Sequence, residues 1–211
     1  MTRLGRQGLG RWASHEYDDA PLKPCVSCQF GGPMKDMRRI AGEQQARAWE
    51  VVREARIVEA WQSIGAQINL VGSLRTGLLI RHLDIDFHTY LEPVDPATSF
   101  LAVAALAQNP RVRRVTYANL LDAEDMCLEW HAWYDDPRGD TWQIDMIHIA
   151  TASRYAGYFE QVADRINAVI EEEQRDAILS IKYAIPEDRK VMGVKIYKIG
   201  RASCRERVYH P

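Results

Sequence analysis

The sequence predicts an α+β fold, a mixed β-sheet flanked by helices and followed by a C-terminal helical segment. Hydrophobic periodicity switches in the order helix, strand, strand, helix, three strands, helices, with no internal repeat. At 211 residues, 24.2 kDa and 46% hydrophobic residues, the chain can bury one core and a small helical appendage. Its candidate strands are short and bounded by Gly, Pro, Asn and Asp, as half-buried strands require.

Organised sequence begins near Gln44. From Glu43 to Ile64, Trp49, Val52, Ile57, Trp61 and Ile64 form an apolar stripe at helical spacing, with a break expected near Arg56. Gly65 suits a helix C-cap, and Ile68 to Val71 reads as a short strand. Asp84 to Leu91 alternates as a second strand. Pro96 opens a helix, where its missing N–H costs nothing, and Asn109-Pro110 stops it after about Gln108. Val112 to Tyr117 and Met126 to Tyr134 are strands. The turn residues 135–140 then lead into Thr141 to Ile149, so the last two strands should form an antiparallel hairpin. After Thr151 the period turns helical through Tyr155, Phe159, Val162, Ile166 and Val169, then Ile178 and Ile181, ending at Pro186.

A formal net charge of −2 argues against a protein whose main task is gripping nucleic acid, although a local basic patch stays compatible with it. The longest apolar run, Phe100 to Ala107, is too short to span a membrane, and the N-terminus has no signal-peptide core. A cytoplasmic location is the expectation. Cys25 and Cys28 form one CxxC without the two further ligands of a structural zinc site, and with Cys127 and Cys204 they read as free thiols. Residues 1–36, rich in Gly, Pro and Arg, read as a disordered tail or an extension from a mis-chosen start. Residues 37–150 read as the core and 151–198 as the helical segment. The stretch Ile199 to Val208 resembles a translated sequencing adapter joined to a truncated reading frame, which makes 199–211 a suspected non-native tail.

The most chemical stretch is INLVGSLRTGLLIRHLDIDFHTYL: an apolar run, Gly72-Ser73, ten residues, then Asp84-Ile85-Asp86. Side chains two apart on a strand share a face, so Asp84 and Asp86 project together, and a divalent cation is the usual reason to hold two carboxylates side by side. Gly72 permits close backbone approach, and free N–H groups around such a turn suit phosphate oxygens. In Val71, Gly72, Ser73, Asp84 and Asp86, with Gly77 as a second glycine, the chain resembles the polymerase-β-like nucleotidyltransferase superfamily over roughly residues 40–150. Many members that modify small molecules carry Arg just before that second glycine; here Thr76 stands there, with Arg75 one place earlier.

The resemblance implies a nucleotidyltransferase-like sheet, a third carboxylate on a later strand and two Mg²⁺ ions held by the carboxylates. Asp145 in WQIDMIHI is the candidate third member, since a lone Asp in an apolar strand costs several kcal/mol unless a metal or an arginine compensates it. By resemblance, Asp84, Asp86 and Asp145 are the catalytic and metal-binding residues, Gly72, Ser73 and Arg75 bind the nucleotide, and Arg81 reads as a solvated arginine. Glu129 and His131 share a strand face with Trp130 on the other, His88 shares the face of Asp84 and Asp86, and His148 lies opposite Asp145. These read as satisfied core or rim residues, with acceptor contact the alternative. Lys182 and Lys190 read as surface residues. The activity implied is transfer of a nucleoside monophosphate, AMP from ATP being expected, to a hydroxyl of a small molecule. The alternatives are transfer to protein or RNA in a toxin–antitoxin-like pair, and a non-catalytic nucleotide-binding scaffold.

Overall fold

The computed structural model describes residues 34–186 together with Gly193 and Ile196. The N-terminal tail ahead of Met34, the Cys25–Cys28 pair, Lys190, Cys204 and the adapter-like stretch lie outside the described residues. Helices α1 (Met34–Glu54) and α2 (Ile57–Gln62) lead into β1 (Gln67–Val71), the one-turn helix α3 (Gly72–Thr76) and β2 (Asp84–Tyr90). Then come α4 (Pro96–Ala107), β3 (Val112–Leu120), β4 (Cys127–Asp135), β5 (Thr141–Ile149), α5 (Tyr158–Val169) and α6 (Glu172–Ala184). This is the expected order of elements and the expected α+β class.

The break expected near Arg56 is a left-handed residue, φ 55°, between α1 and α2. Asp95 caps α4 by accepting from the backbone N–H groups of Ala97 and Thr98, with Pro96 in the first turn. Two local expectations are corrected. Helix α1 starts at Met34, ahead of Glu43, because Met37, Ile40 and Ala41 pack on α6, a partner far along the chain. The Gly72-Ser73 turn is the first turn of α3 rather than a loop.

The sheet order is β1-β2-β5-β4-β3; β2 and β5 run parallel, and every other neighbouring pair is antiparallel. The β4–β5 hairpin turns on Asp136, whose carboxylate accepts from the N–H groups of Arg138 and Asp140. Alternation then sorts the two faces. Ile85 and Phe87 of β2, Ile144 and Met146 of β5, and Trp130, Ala132 and Tyr134 of β4 are buried with Trp61, Leu106 and Val103 in the main core. Their neighbours Asp84, Asp86, Gln143, Asp145 and His131 are left on the opposite face. A second apolar cluster joins Ala41 of α1, Leu78 and Ile80 of the connection to β2, and Ile178 and Leu179 of α6. Each of these large side chains contributes on the order of 2 kcal/mol by burial, which docks α6 beside the Gly72–Ser73 segment. Among the described residues, no helix is long and apolar enough to cross a membrane.

Candidate active site

Strand register assembles the carboxylates. In the parallel β2–β5 pair Asp84 stands opposite Gln143 and Asp86 opposite Asp145; in the antiparallel β4–β5 pair His131 stands opposite Asp145. Asp145, distant in sequence, is thereby next to Asp86 on one sheet face. Asp84 and Asp86 keep part of their surface open to solvent, so a ligand can reach them. Burial raises the Asp84 pKa, and the Asp145 charge adds to it. Burial raises Asp86 further, reinforced by the charges of Asp84 and Asp145. Like charges concentrated in a poorly hydrated place hold the proton more tightly, and a cation relieves them.

Gly72 sets the distance between the loop and this pair. Its φ is 67°, and a Cβ there would lie 2.0 Å from Asp86 Oδ2 and 2.8 Å from Asp86 Cγ. Only glycine allows both the left-handed backbone and the approach of the Asp86 carboxylate. The following residue, Ser73, meets a cation unexpected at this place. Lys182 of α6 is 6% exposed and donates from Nζ to Ser73 Oγ at 2.6 Å. Burial lowers the Lys182 pKa, while the charges of Asp84 and Asp86 favour its charged form. Lys182 is therefore part of the site and not a surface residue. The signal for it was present: Lys182 continues the buried α6 stripe through Ile178 and Leu179 at helical spacing.

Arg75, expected at the nucleotide phosphates, has other partners. It donates to the Leu70 carbonyl at 2.9 Å and pairs with Asp164 of α5 at 2.5 Å. Arg81 donates to the Tyr183 carbonyl and lies over the Tyr183 ring. Thr76 bonds back to the carbonyls of Gly72 and Ser73.

Asp145 is held from two sides. Its Oδ1 receives Gln143 Nε2 at 2.8 Å and lies 2.5 Å from His131 Nδ1, while His131 Nε2 lies 3.0 Å from Glu129 Oε1. Burial works against the imidazolium, but Asp145 and then Glu129 raise the His131 pKa to about 9. Glu129, 5% exposed, thus has a charged partner, as a buried carboxylate needs. His88 belongs elsewhere. Its Nδ1 lies 3.4 Å from Glu160 Oε2, tying β2 to α5. Burial opposes ionisation of Glu160, yet bonds from His88 and Tyr90 bring its pKa down to about 2. His148 is a core residue: its Nε2 lies 3.1 Å from the Leu91 carbonyl, and burial lowers its pKa. Trp130 is also core and donates to Ser99 Oγ at 2.8 Å. The Cys127 thiol is buried, and its pKa is pushed up to about 12 by that burial.

Do these residues fit a divalent cation? Asp84 and Asp86 are hard oxygen donors, the donor chemistry Mg²⁺ uses, and burial together with the neighbouring carboxylates raises their pKa values despite the Lys182 charge. Among the described residues, no three His, Cys, Asp or Glu side chains close around one point. The fit therefore rests on the Asp84–Asp86 pair, with Asp145 adjoining it and bonded to His131.

No family model matches the sequence, and no curated protein matches it. Solved structures do match the fold. The poly(A) polymerase complex GLD-2–GLD-3 aligns with a TM-score of 0.51 at 12% identity, covering 71% of this chain and 48% of the other. The Cid1 poly(U) polymerase with MgGTP bound aligns with a TM-score of 0.50 at 11% identity, covering 71% and 46%. A further Cid1 structure, described for its RNA terminal uridylyl transferase activity, gives 0.51 at 11% identity, covering 78% and 50%. The chain spans about half the length of each. The likeness at this identity is one of fold: a mixed five-stranded sheet flanked by helices, shared with these polymerases.

Proposed function

We propose that this protein is a metal-dependent nucleotidyltransferase that moves a nucleoside monophosphate, AMP from ATP in the first instance, to a hydroxyl of a small molecule. The observation carrying this reading is the convergence on one face of Asp84, Asp86 and Asp145, with Gly72 against Asp86 and Lys182 on Ser73. Asp84 and Asp86 are the residues to hold Mg²⁺, which when bound supplies positive charge to the phosphates. Ser73, the N–H groups at the start of α3 and Lys182 bind the terminal phosphates; Lys182 takes the part expected of Arg75. Asp145 accepts the proton of the acceptor hydroxyl. The acceptor oxygen forms its bond to the α-phosphorus, the α–β bridging P–O bond breaks, and its electron pair leaves with pyrophosphate. Glu129 and His131 hold Asp145 in line with Asp86 and are positioning residues.

A second reading, transfer to an RNA 3′-hydroxyl, is favoured by the fold likeness to poly(A) and poly(U) polymerases. The test is binding of labelled ATP with and without Mg²⁺ by wild type and Asp86→Asn, then incubation with aminoglycosides, lincosamides, tRNA and protein acceptors. Metal-dependent binding lost in Asp86→Asn, with label passing to a small molecule, is the expected result. Label on tRNA selects the second reading, and binding indifferent to both Mg²⁺ and Asp86 leaves only a scaffold.

A further inference from the structure

Helix α6 touches the Gly72–Gly77 segment at two places. Lys182 meets Ser73 at its front. Two turns earlier on the same helix face, Arg175 Nη1 donates to the Thr76 carbonyl at 3.0 Å and the Gly77 carbonyl at 3.2 Å. Gln45 of α1 donates to the same Gly77 carbonyl at 3.0 Å, and Asn167 of α5 to the Arg75 carbonyl at 3.2 Å. These carbonyls end a one-turn helix and have no partners further along it, so side chains must satisfy them. Gly77 is shaped for the contact: its φ is 69°, and a Cβ there would stand 2.9 Å from Arg175 Nη1. Thr76 and Gly77 occupy the two places where the resemblance expects an arginine followed by glycine, and a guanidinium from α6 reaches both carbonyls.

We propose that Arg175 is a positioning residue that keeps the Gly72–Gly77 segment in its nucleotide-ready shape, by holding its trailing carbonyls while Lys182 holds Ser73. This rests on reading that segment as the phosphate cradle. An isolated five-residue helix is unstable in water, so its shape must come from the elements around it. α1, α5 and α6 all donate to its carboxyl end, while its first residue, Gly72, lies against the Asp86 carboxylate. The outer side of the clamp, Gln45, Gly77 and Arg175, lines a cleft of about 230 Å³, so substitution of Arg175 does not open the main core.

The two carbonyls are held by one nitrogen, so a lysine can replace the arginine and a methionine cannot. Loosening the segment lowers the fraction of molecules ready to bind, and the apparent affinity falls by that fraction. The test measures binding of a fluorescent ATP analogue with Mg²⁺ to wild type, Arg175→Met and Arg175→Lys, with the steady-state constants of each. Expected are an about tenfold weaker Kd and higher nucleotide KM in Arg175→Met, kcat restored at saturating nucleotide, and Arg175→Lys close to wild type. A role in folding alone would lower kcat through lost active protein and leave Kd and KM unmoved; that result overturns the proposal. So does a lysine variant as weak as the methionine one. If wild type binds no nucleotide at all, the cradle reading falls and this inference with it; if wild type binds and Arg175→Met binds equally, only this inference falls.

Discussion

Replacing Lys182 by methionine removes the charge that offsets Asp84 and Asp86 and keeps most of the side-chain volume. A contact ion pair broken from one side costs about 3–5 kcal/mol; Lys182 acts on Asp84 and Asp86 by its charge while its hydrogen bond goes to Ser73. The lower end applies, because both carboxylates keep some contact with solvent and the ammonium carries its own burial penalty. The expected loss is about 3 kcal/mol near pH 8, which for a urea m-value of about 2 kcal/mol/M lowers the midpoint by about 1.5 M. Fluorescence of the buried Trp61, Trp130 and Trp142 reports the transition. The sign of the pH dependence follows from the raised pKa values of Asp84 and Asp86. Their native forms hold protons that the unfolded chain has released, so native stability falls as pH rises above the ordinary carboxylate value of about 4. Without Lys182 the same carboxylates hold their protons to still higher pH. The gap between variant and wild type therefore widens from pH 4 to pH 8, and millimolar Mg²⁺ narrows it at pH 8. A gap that is the same at both ends of that range and indifferent to Mg²⁺ would mean that packing or the Ser73 hydrogen bond was lost, and would refute the electrostatic account.

Two further outcomes follow from the geometry. Gly72→Ala forces a Cβ against Asp86 Oδ2 and an L-residue into the left-handed region; about 1–2 kcal/mol of stability is lost to the backbone alone, and Mn²⁺ binding measured by calorimetry disappears, whereas wild-type Mn²⁺ binding would disprove the close approach. Asp136 has its pKa lowered to about 2: burial opposes this, and Arg47, the Asp140 N–H, the Trp142 indole and the Arg138 N–H overcome it. Its ionised form contributes about 2 kcal/mol, present in full above about pH 4 and lost as pH falls toward 2; Asp136→Asn should therefore sit below wild type in urea at pH 7 and approach it at pH 3, and an undiminished gap at pH 3 contradicts the assignment.

Local physics explains what could be read ahead of the fold. Pro96 after Asp95, the break at Arg56 and the 135–140 turn are decided by residues within a few positions of each other. The alternation of Asp84-Ile85-Asp86 and of Gln143-Ile144-Asp145-Met146 fixes which side chains share a face wherever the strands lie. Helix α1 before Glu43 was illegible because Met37, Ile40 and Ala41 are apolar positions without a local partner, and their partner, α6, lies more than a hundred residues on. The partners of the two cations were illegible for a related reason. Proximity to Gly72-Ser73 favoured Arg75, but one turn of helix carries it to Leu70 and Asp164, while Lys182 arrives from another helix. His131 was likewise one His among several until the register set it between Glu129 and Asp145.

The sequence by itself determined the order of elements and the pairing of Asp84 with Asp86 on one strand face, because each depends on backbone geometry over a few residues. Only the tertiary structure decided that Asp145 joins that pair through the parallel β2–β5 register, that Lys182 and Arg175 hold the two ends of the Gly72–Gly77 segment, and that Arg75 does neither. Those are contacts between segments far apart in the chain, set by which apolar faces bury together, and no short-range pattern encodes them.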